Sequence, residues 1–159
     1  MQDLALETAT PNDAAILTEC RIKFALELSG QQSLEAIQTL QEQMEKYFKQ
    51  ATEDGSCISI IARIGSEIAG IGSMHIRITP GNFKNPSGRW GYIMNMYTVP
   101  AFRRRGVCKT ILNALVEAGA NQGITAFELH ATAEGERVYV KNGFELQSQP
   151  TFRKFISVS

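Results

Sequence analysis

Apolar residues recur at spacings of three and four over the first third of the chain, which predicts two helices after a short strand, Leu4–Thr8. The first helix begins at the capping-box sequence Thr10-Pro11-Asn12-Asp13 and ends at Gly30. Its expected buried stripe is Leu17, Cys20, Phe24 and Leu28. The second helix is capped by Ser33 and ends near residues 52–55. Its buried face is expected to comprise Leu34, Ile37, Leu40, Met44 and Phe48.

From Cys57 onward the pattern changes to strands rich in isoleucine. Cys57–Ile64 and Glu67–Thr79 flank Gly65-Ser66, a dipeptide that suits a tight hairpin turn. Residues 80–89 contain enough proline, glycine and asparagine to predict a mobile loop, which is a candidate lid. The strand Trp90–Val99 follows and ends at Pro100.

The last third of the chain predicts two more helices and three more strands. An amphipathic helix runs from Val107 to residues 119–123 and is followed by the strand Thr125–His130 and a short helix, Glu134–Asn142. Two last strands are expected at Phe144–Gln147 and Phe152–Val158. This order of elements predicts one α/β domain, residues 1–159, because the length leaves no room for a second full domain.

Composition narrows the classes of function. Sixteen basic and sixteen acidic residues give zero net charge, which argues against binding to nucleic acid or membrane through an overall field. No apolar run reaches the roughly 18 residues of a membrane helix. The three cysteines form no CxxC pair, so neither a metal site nor a disulfide framework is predicted. We therefore expect a cytoplasmic protein with no metal, no nucleic-acid partner and no membrane contact.

The most informative stretch is 99–110, where a strand end, a basic turn and a helix start follow one another. The first N–H groups of a helix lack internal partners and carry the positive end of its dipole, so they bind phosphate well. Gly106 permits close approach, and basic side chains add charge-assisted bonds: Arg103, Arg104, Arg105 and Lys109. The alternative is a solvated basic turn before an ordinary helix. A P-loop is excluded because Cys108 stands where that motif has glycine.

Residues 95–107 resemble the acetyl-CoA motif of the GCN5-related N-acetyltransferases (GNAT), whose core is Gln/Arg-x-x-Gly-x-Gly/Ala. The sequence of this stretch is Asn-Met-Tyr-Thr-Val-Pro-Ala-Phe-Arg-Arg-Arg-Gly-Val. Arg103 and Gly106 match this motif, whereas Cys108 departs from it at the final small position. Residues 129–144 are similar to the family's C-terminal motif, which ends Tyr-x-x-x-Gly-Phe. The resemblance covers essentially the whole chain. It implies a mixed central sheet of about seven strands flanked by about four helices.

The resemblance also implies acetyl-CoA as the cosubstrate and a direct attack of an amine on its thioester. The strand Trp90–Val99 would splay from Thr125–His130, and the pantetheine arm would lie in the opening. The residues implied for cofactor binding are Met96, Tyr97 and Thr98 through their backbone, Arg104, Arg105, Gly106, Val107, Cys108 and Lys109 around the diphosphate, and Arg103, Thr110 and Thr132.

Tyr139 is the candidate catalytic acid that would face the departing thiolate. A tyrosine with a pKa near ~10 is a weaker acid than a thiol near ~8.5, so full proton transfer costs about 2 kcal/mol, and hydrogen-bond donation to the sulfur is the safer prediction. The alternative is a tyrosine that only packs between helix and sheet. The general base is left open among four side chains, of which His130 is the least weak: Glu27, His75, Glu128 and His130.

Two hypotheses remain for Cys108, and two for the protein. A thiol at a helix N-terminus among basic residues can have a lowered pKa and be reactive, although a structural role for Cys108 is the alternative.

The protein is expected to be an N-acetyltransferase that acts on an amine of a small molecule or a protein. The alternative is a non-catalytic CoA-binding regulatory module with the same fold. The resemblance also leaves a homodimer open.

Overall fold

The computed structural model describes residues 3–157 and contains a five-stranded sheet with four α-helices. The strands are β1 (Leu4–Thr8), β2 (Cys57–Ile64), β3 (Glu67–Ile78), β4 (Arg89–Thr98) and β5 (Phe127–Leu129). The helices are α1 (Ala14–Ser29), α2 (Leu34–Glu53), α3 (Val107–Asn121) and α4 (Glu136–Lys141), with 3₁₀ turns at Pro11–Asp13 and Pro100–Phe102. The mixed α/β fold predicted from the sequence is confirmed.

The predicted start and stop signals of the first two helices are present. The backbone N–H of Thr10 donates to the Asp13 carboxylate at 2.8 Å, although this capping box encloses a 3₁₀ turn that precedes α1. Gly30 ends α1 with a φ of 75°, a backbone conformation that glycine adopts without strain. The Ser33 hydroxyl accepts from the Ala36 N–H at 3.1 Å and caps α2.

The sheet has the order β1-β2-β3-β4-β5, so neighbours in the chain are neighbours in space. The first four strands are antiparallel, and β5 is parallel to β4 because α3 carries the chain back across the sheet. The hairpin at Gly65-Ser66 joins β2 to β3 as predicted. β1 and β5 are therefore the two edges of the sheet.

Helices cover both faces of the sheet and bury one apolar cluster on each. On one face α1 and α2 pack against β2, β3 and β4 through a cluster that includes Leu17, Phe48, Ile61, Ile71 and Tyr97. On the other face α3 and Tyr139 of α4 pack against the sheet through a cluster that includes Met74, Ile93, Ile111, Leu112 and Leu115. The two clusters divide the sheet into an α1 face and an α3 face.

A bulge interrupts β4 at Asn95, whose φ of 57° lies in the left-handed region. The register between β3 and β4 shifts at the same point, between Ile71 and Ser73. As a result Ile93 and Met96 both contact the α3 face, although strict alternation would place them on opposite faces. Met94 and Tyr97 contact the α1 face.

Two expectations from the sequence are corrected. The described residues form five strands and not about seven, because 144–157 pair with no strand; Val158, in the last predicted strand, lies outside the described residues. Leu28, Leu34 and Leu40 are not buried, since no part of residues 3–157 covers that end of α1 and α2. The 80–88 loop stays a candidate lid; within it Asn85 is 2% exposed, and its side-chain N–H donates to the Arg89 carbonyl at 3.0 Å.

Candidate functional site

The pairing between β4 and the edge strand β5 ends part-way along β4. Their pairing comprises Gly91 with Phe127, Tyr92 with Glu128 and Ile93 with Leu129, and it stops there because β5 ends at Leu129. β4 continues for five residues beyond Ile93, including the predicted contacts Met96, Tyr97 and Thr98. Backbone groups on that edge lack a strand partner, so they are free to bond an extended ligand chain. The splay implied by the resemblance is thus present.

The start of α3 lies directly beyond this opening. Arg104 and Gly106 both have positive φ, at 64° and 78°, so the backbone turns sharply before the helix begins at Val107. A Cβ placed on Gly106 would meet no atom within 4 Å, which means that the space beside it is open. The first N–H groups of α3, which carry the positive end of the helix dipole, therefore lie at an open surface.

The basic side chains of this turn divide into two groups. Arg104, Arg105 and Lys109 are exposed, and among the ion pairs of residues 3–157 none involves them. Arg103 is instead held on the α1 face. Its guanidinium donates to both Glu27 carboxylate oxygens at 3.0 and 2.8 Å and to the Thr98 carbonyl at 3.0 Å. Arg103 therefore anchors the end of β4 to α1, and the three other basic residues are available to an anion.

Tyr139 is 8% exposed and belongs to the α3-face cluster with Val107, Ile111 and the partly buried Met96. Burial raises the pKa of Tyr139, and the neighbouring Cys108 raises it further. Burial likewise raises the pKa of the Cys108 thiol, although the Tyr139 hydroxyl lowers it. Because burial is the larger of these two effects, the environment of Cys108 favours the structural role over a thiol with a lowered pKa.

The two predicted threonines both bond to backbone. The Thr110 hydroxyl donates to the Gly106 carbonyl at 2.9 Å within the first turn of α3. The Thr132 hydroxyl accepts from the Gly135 N–H at 3.2 Å at the start of α4. These bonds stabilise the two helix starts that border the opening, and each hydroxyl keeps further hydrogen-bonding capacity.

The four candidate bases differ in their partners. Glu27 is bonded to Arg103 and also accepts from the Tyr97 hydroxyl at 3.1 Å, while Glu128 is paired with Arg77 at 2.9 Å. The ring of His75 contacts the Tyr47 hydroxyl through Nδ1 at 3.4 Å. Within residues 3–157 the two ring nitrogens of His130 contact hydroxyls: Tyr92 at 2.7 Å through Nδ1 and Thr151 at 3.3 Å through Nε2. Of the four, His130 directly follows β5, at the mouth of the opening.

Several residues of this region could not be recognised from the sequence. The Asn95 side chain is buried at the bulge, and neither its oxygen nor its nitrogen has a hydrogen-bond partner. The Arg77 guanidinium lies 5.3 Å from the centre of the Tyr92 ring, and the buried Nε of Arg77 also lacks a partner. Asparagine tolerates positive φ, which is the single sequence signal that would have marked Asn95.

No group of three or more potential metal ligands occurs within residues 3–157. No helix in that part of the chain is long and apolar enough to cross a membrane.

The sequence profile of the acetyltransferase (GNAT) family matches residues 25–144, which is most of the chain. The chain belongs to this GNAT family. No curated protein matches the sequence. The matched GNAT region contains the β4 bulge, the splay, the α3 start and Tyr139, so the family assignment and the geometry refer to the same residues.

Solved structures of GNAT proteins share the whole fold. A structure from Clostridium acetobutylicum, described as a predicted acetyltransferase with acetyl-CoA, is 23% identical with a TM-score of 0.86, and the match covers 96% of each chain. A GCN5-related N-acetyltransferase from Ralstonia eutropha is 20% identical with a TM-score of 0.84 over 96% of this chain and 99% of that one. An aminoglycoside N-acetyltransferase in complex with CoA is 16% identical with a TM-score of 0.74, covering 98% and 96%.

Proposed function

We propose that this GNAT-family protein transfers the acetyl group of acetyl-CoA to an amine. The observation that supports this most directly is the opening between β4 and β5, which leads to the free start of α3 and is bordered by Tyr139. One extended slot with an anion site at its end suits a ligand made of a flexible arm and a diphosphate. Similar structures hold acetyl-CoA or CoA, which agrees with this ligand.

The described residues fit the parts of such a ligand. The unpaired edge of β4 offers backbone groups to the amides of the arm at Met96 and at the Thr98 N–H, whereas the Thr98 carbonyl accepts from Arg103 and Tyr97 pairs with Ile71 of β3. The open space beside Gly106 leaves room for phosphate next to the first N–H groups of α3. Arg104, Arg105 and Lys109 supply positive charge that no residue of the described chain neutralises through an ion pair.

In the proposed reaction the amine nitrogen attacks the carbonyl carbon of the thioester. A C–N bond forms, the C–S bond breaks, and the sulfur leaves with its electron pair. Acetyl-CoA supplies the acetyl group in an activated form. An N–H group on the unpaired edge of β4 is placed to stabilise the negative charge that develops on the carbonyl oxygen.

Tyr139 donates a hydrogen bond to the departing sulfur in this mechanism. Because burial raises its pKa, the hydroxyl stays protonated throughout the physiological range and is always available as a donor. The same shift makes complete proton transfer costlier than the about 2 kcal/mol expected for an ordinary tyrosine and thiol. Hydrogen-bond donation is therefore the role that the environment of Tyr139 favours.

In this mechanism His130 is the base that accepts the proton of the attacking amine. Both candidate carboxylates are engaged by arginines, whereas the two nitrogens of His130 contact neutral hydroxyls. Tyr92 fixes the orientation of the ring through its 2.7 Å bond to Nδ1. The Nε2 of His130 contacts the Thr151 hydroxyl, which a substrate or water can replace, so the imidazole is suited to accept a proton directly or through water.

The first experiment tests binding and chemistry separately. At ~100 times Kd, acetyl-CoA should add about 2.7 kcal/mol of stability, which corresponds to a rise in Tm of roughly 5–11 °C. Adenosine diphosphate alone should give a much smaller rise. The protein is then assayed for acetyl transfer to a panel of amines. Binding without transfer to any amine would support the regulatory-module alternative, and no binding would contradict the proposal altogether.

The role of Tyr139 is tested with Tyr139→Phe and with Tyr47→Phe as the matched control. Tyr47 is also a tyrosine whose pKa burial raises, but it lies on α2 and not at the opening. Tyr139→Phe should lower turnover at least about tenfold, which is the effect of losing ~1.4 kcal/mol in the transition state, while acetyl-CoA binding is kept. Equal turnover in the two variants would remove Tyr139 from the mechanism.

A further inference from the structure

Polar side chains gather on the α1 face of the sheet beside the proposed base. The strand register places Tyr92 next to His75 of β3 and Glu128 of β5, and side chains paired in this way project from the same face. His75 is also paired with Cys57, a member of the α1-face cluster. Tyr92 therefore lies in the middle of this group, and its hydroxyl contacts His130 at 2.7 Å.

Two arginines from different elements approach Tyr92. The Arg77 guanidinium lies 5.3 Å from the centre of the Tyr92 ring. Arg21 follows the buried residues Leu17 and Thr18 by four and three positions, so it shares the sheet-facing side of α1. Burial lowers the pKa of Arg21 and the nearby Tyr92 phenol raises it, which agrees with this placement. The sheet and α1 thus bring two guanidinium groups to one aromatic ring.

The charges of these two guanidinium groups are not fully neutralised. Glu128 accepts from the Nη2 of Arg77 at 2.9 Å, but the buried Nε of Arg77 has no hydrogen-bond partner. A guanidinium has five N–H donors, and the Arg77 side chain is 38% exposed, so further donors remain accessible. Within residues 3–157 no ion pair involves Arg21, although it is partly buried. With its histidines neutral, this group of side chains carries one positive charge in excess, which an anion would balance.

Packing positions the Arg21 side chain before any ligand binds. Its guanidinium lies 5.4 Å from the centre of the Phe24 ring, and Phe24 packs against the α1-face cluster. A cation–π contact uses the charge of a guanidinium without supplying an acceptor oxygen for its N–H groups. Arg21 is thus held on the sheet-facing side of α1 and can offer paired donors to a carboxylate or a phosphate.

We propose that the acceptor is a small amine that also carries an anionic group, a carboxylate or a phosphate, and that Arg21 and Arg77 bind this group beside Tyr92. The inference rests on the proposed function, in which the attacking amine gives its proton to His130. Because the Tyr92 hydroxyl contacts His130 directly, the anionic group and the amine bind at neighbouring positions. The acceptor is therefore an amine whose nitrogen and anionic group are separated by a short spacer.

Matched pairs of amines test the substrate class. β-alanine is compared with its amide, and O-phosphoethanolamine is compared with ethanolamine, at saturating acetyl-CoA. In at least one pair, kcat/KM should be at least about tenfold higher for the anionic member, and the pair with the larger difference distinguishes carboxylate from phosphate. Acetyl transfer with no preference for the anionic member of either pair would overturn the inference and leave the proposed function standing.

Substitution of Arg21 tests the residue that supplies the uncompensated charge. Arg21→Gln should raise the KM of the preferred anionic amine at least about tenfold, the effect of losing a hydrogen bond to a charged group, while the KM for acetyl-CoA stays as in the wild type. Arg21→Lys keeps the charge and should lose less. Lys23→Gln is the matched control, because it removes the same charge from an exposed side chain of the same helix that is paired with Glu19. An unchanged KM in Arg21→Gln, or an equal rise in Lys23→Gln, would contradict the inference.

Binding without turnover separates this inference from the proposed function. Each amine is titrated by calorimetry into the full chain saturated with CoA. Binding of an anionic amine that Arg21→Gln weakens at least about tenfold would support the anion site even where no acetyl transfer is detected. Failure of both anionic amines to bind would overturn this inference without bearing on acetyl-CoA, whose binding is measured separately.

Discussion

Gly106 offers a way to separate folding from ligand binding at the α3 start. Its φ is 78°, and the space beside it is open. Gly30, at the end of α1, has a φ of 75° and equally open space. Replacing either with alanine introduces no clash, but the strain differs, because Gly106 has a ψ of 11° in the left-handed helical region and Gly30 has a ψ of −168° in a region that essentially only glycine occupies. The two sites differ in that Gly106 lies next to the proposed diphosphate position and Gly30 does not.

The expected loss of stability follows from two opposing effects. A non-glycine residue in the left-handed region costs about 1–2 kcal/mol. Alanine recovers about 0.4–1 kcal/mol by restricting the unfolded chain. The net loss is about 1 kcal/mol, which lowers the Tm of a protein of this length by roughly 2–4 °C. Gly106→Ala should show this decrease in thermal unfolding without ligand, and Gly30→Ala should show a larger decrease because its backbone conformation is less accessible to alanine.

Binding should distinguish the two variants. The new methyl group of Gly106→Ala would occupy the open space in front of the first N–H groups of α3 and keep a phosphate away. A loss of ~1.4 kcal/mol raises the Kd for acetyl-CoA tenfold, and we expect at least that from titration calorimetry. Gly30→Ala should bind as the wild type does. The same Kd in both variants would refute the assignment of the diphosphate to this helix start.

Three other outcomes are expected. Glu27→Gln should weaken the ion pair between Arg103 and α1, so the Tm should fall while the Kd for acetyl-CoA changes little. A large change in that Kd would show that Arg103 itself binds the ligand. Alkylation of Cys108 should be slow at neutral pH and accelerate only well into the alkaline range, because burial raises the thiol pKa; labelling as fast as that of a free thiol would contradict this. Asn95→Gly should be more stable than Asn95→Ala because of the positive φ, but both should lose the same activity if the buried amide serves the reaction.

The features that the sequence predicts correctly are those set by local chemistry. The capping box at Thr10, the Ser33 cap and the Gly65-Ser66 hairpin each involve residues within a few positions of one another. The glycine before α3 belongs to the same class, since a positive φ at a helix start is a property of one residue. Signals of this kind need no knowledge of the rest of the fold.

The features that the sequence does not predict depend on contacts between distant residues. Arg103 and Glu27 are 76 residues apart, so neither the cluster of arginines nor the candidate base indicates that they bind each other. Periodicity predicts an apolar stripe along α2, but of its five residues only Phe48 is buried, because periodicity does not say what covers a stripe. Residues 144–157 have strand-like composition without a strand partner in the chain, and β-propensity alone supplies none.

The bulge at Asn95 relates the fold to the proposed chemistry. Without it, alternation along β4 would place Met96 with Met94 on the α1 face. The extra residue instead moves Met96 to the α3 face, beside the cluster that contains Tyr139, and moves Tyr97 to the α1 face, where it bonds Glu27. β4 therefore presents Met96 to the cluster of Tyr139 on one face and Tyr97 to Glu27 on the other, and β5 ends near the same level of the sheet. Because the bulge lies close to the end of β5, the stretch of β4 that carries Met96 toward Tyr139 is also the stretch whose edge lacks a strand partner, as the proposed mechanism requires.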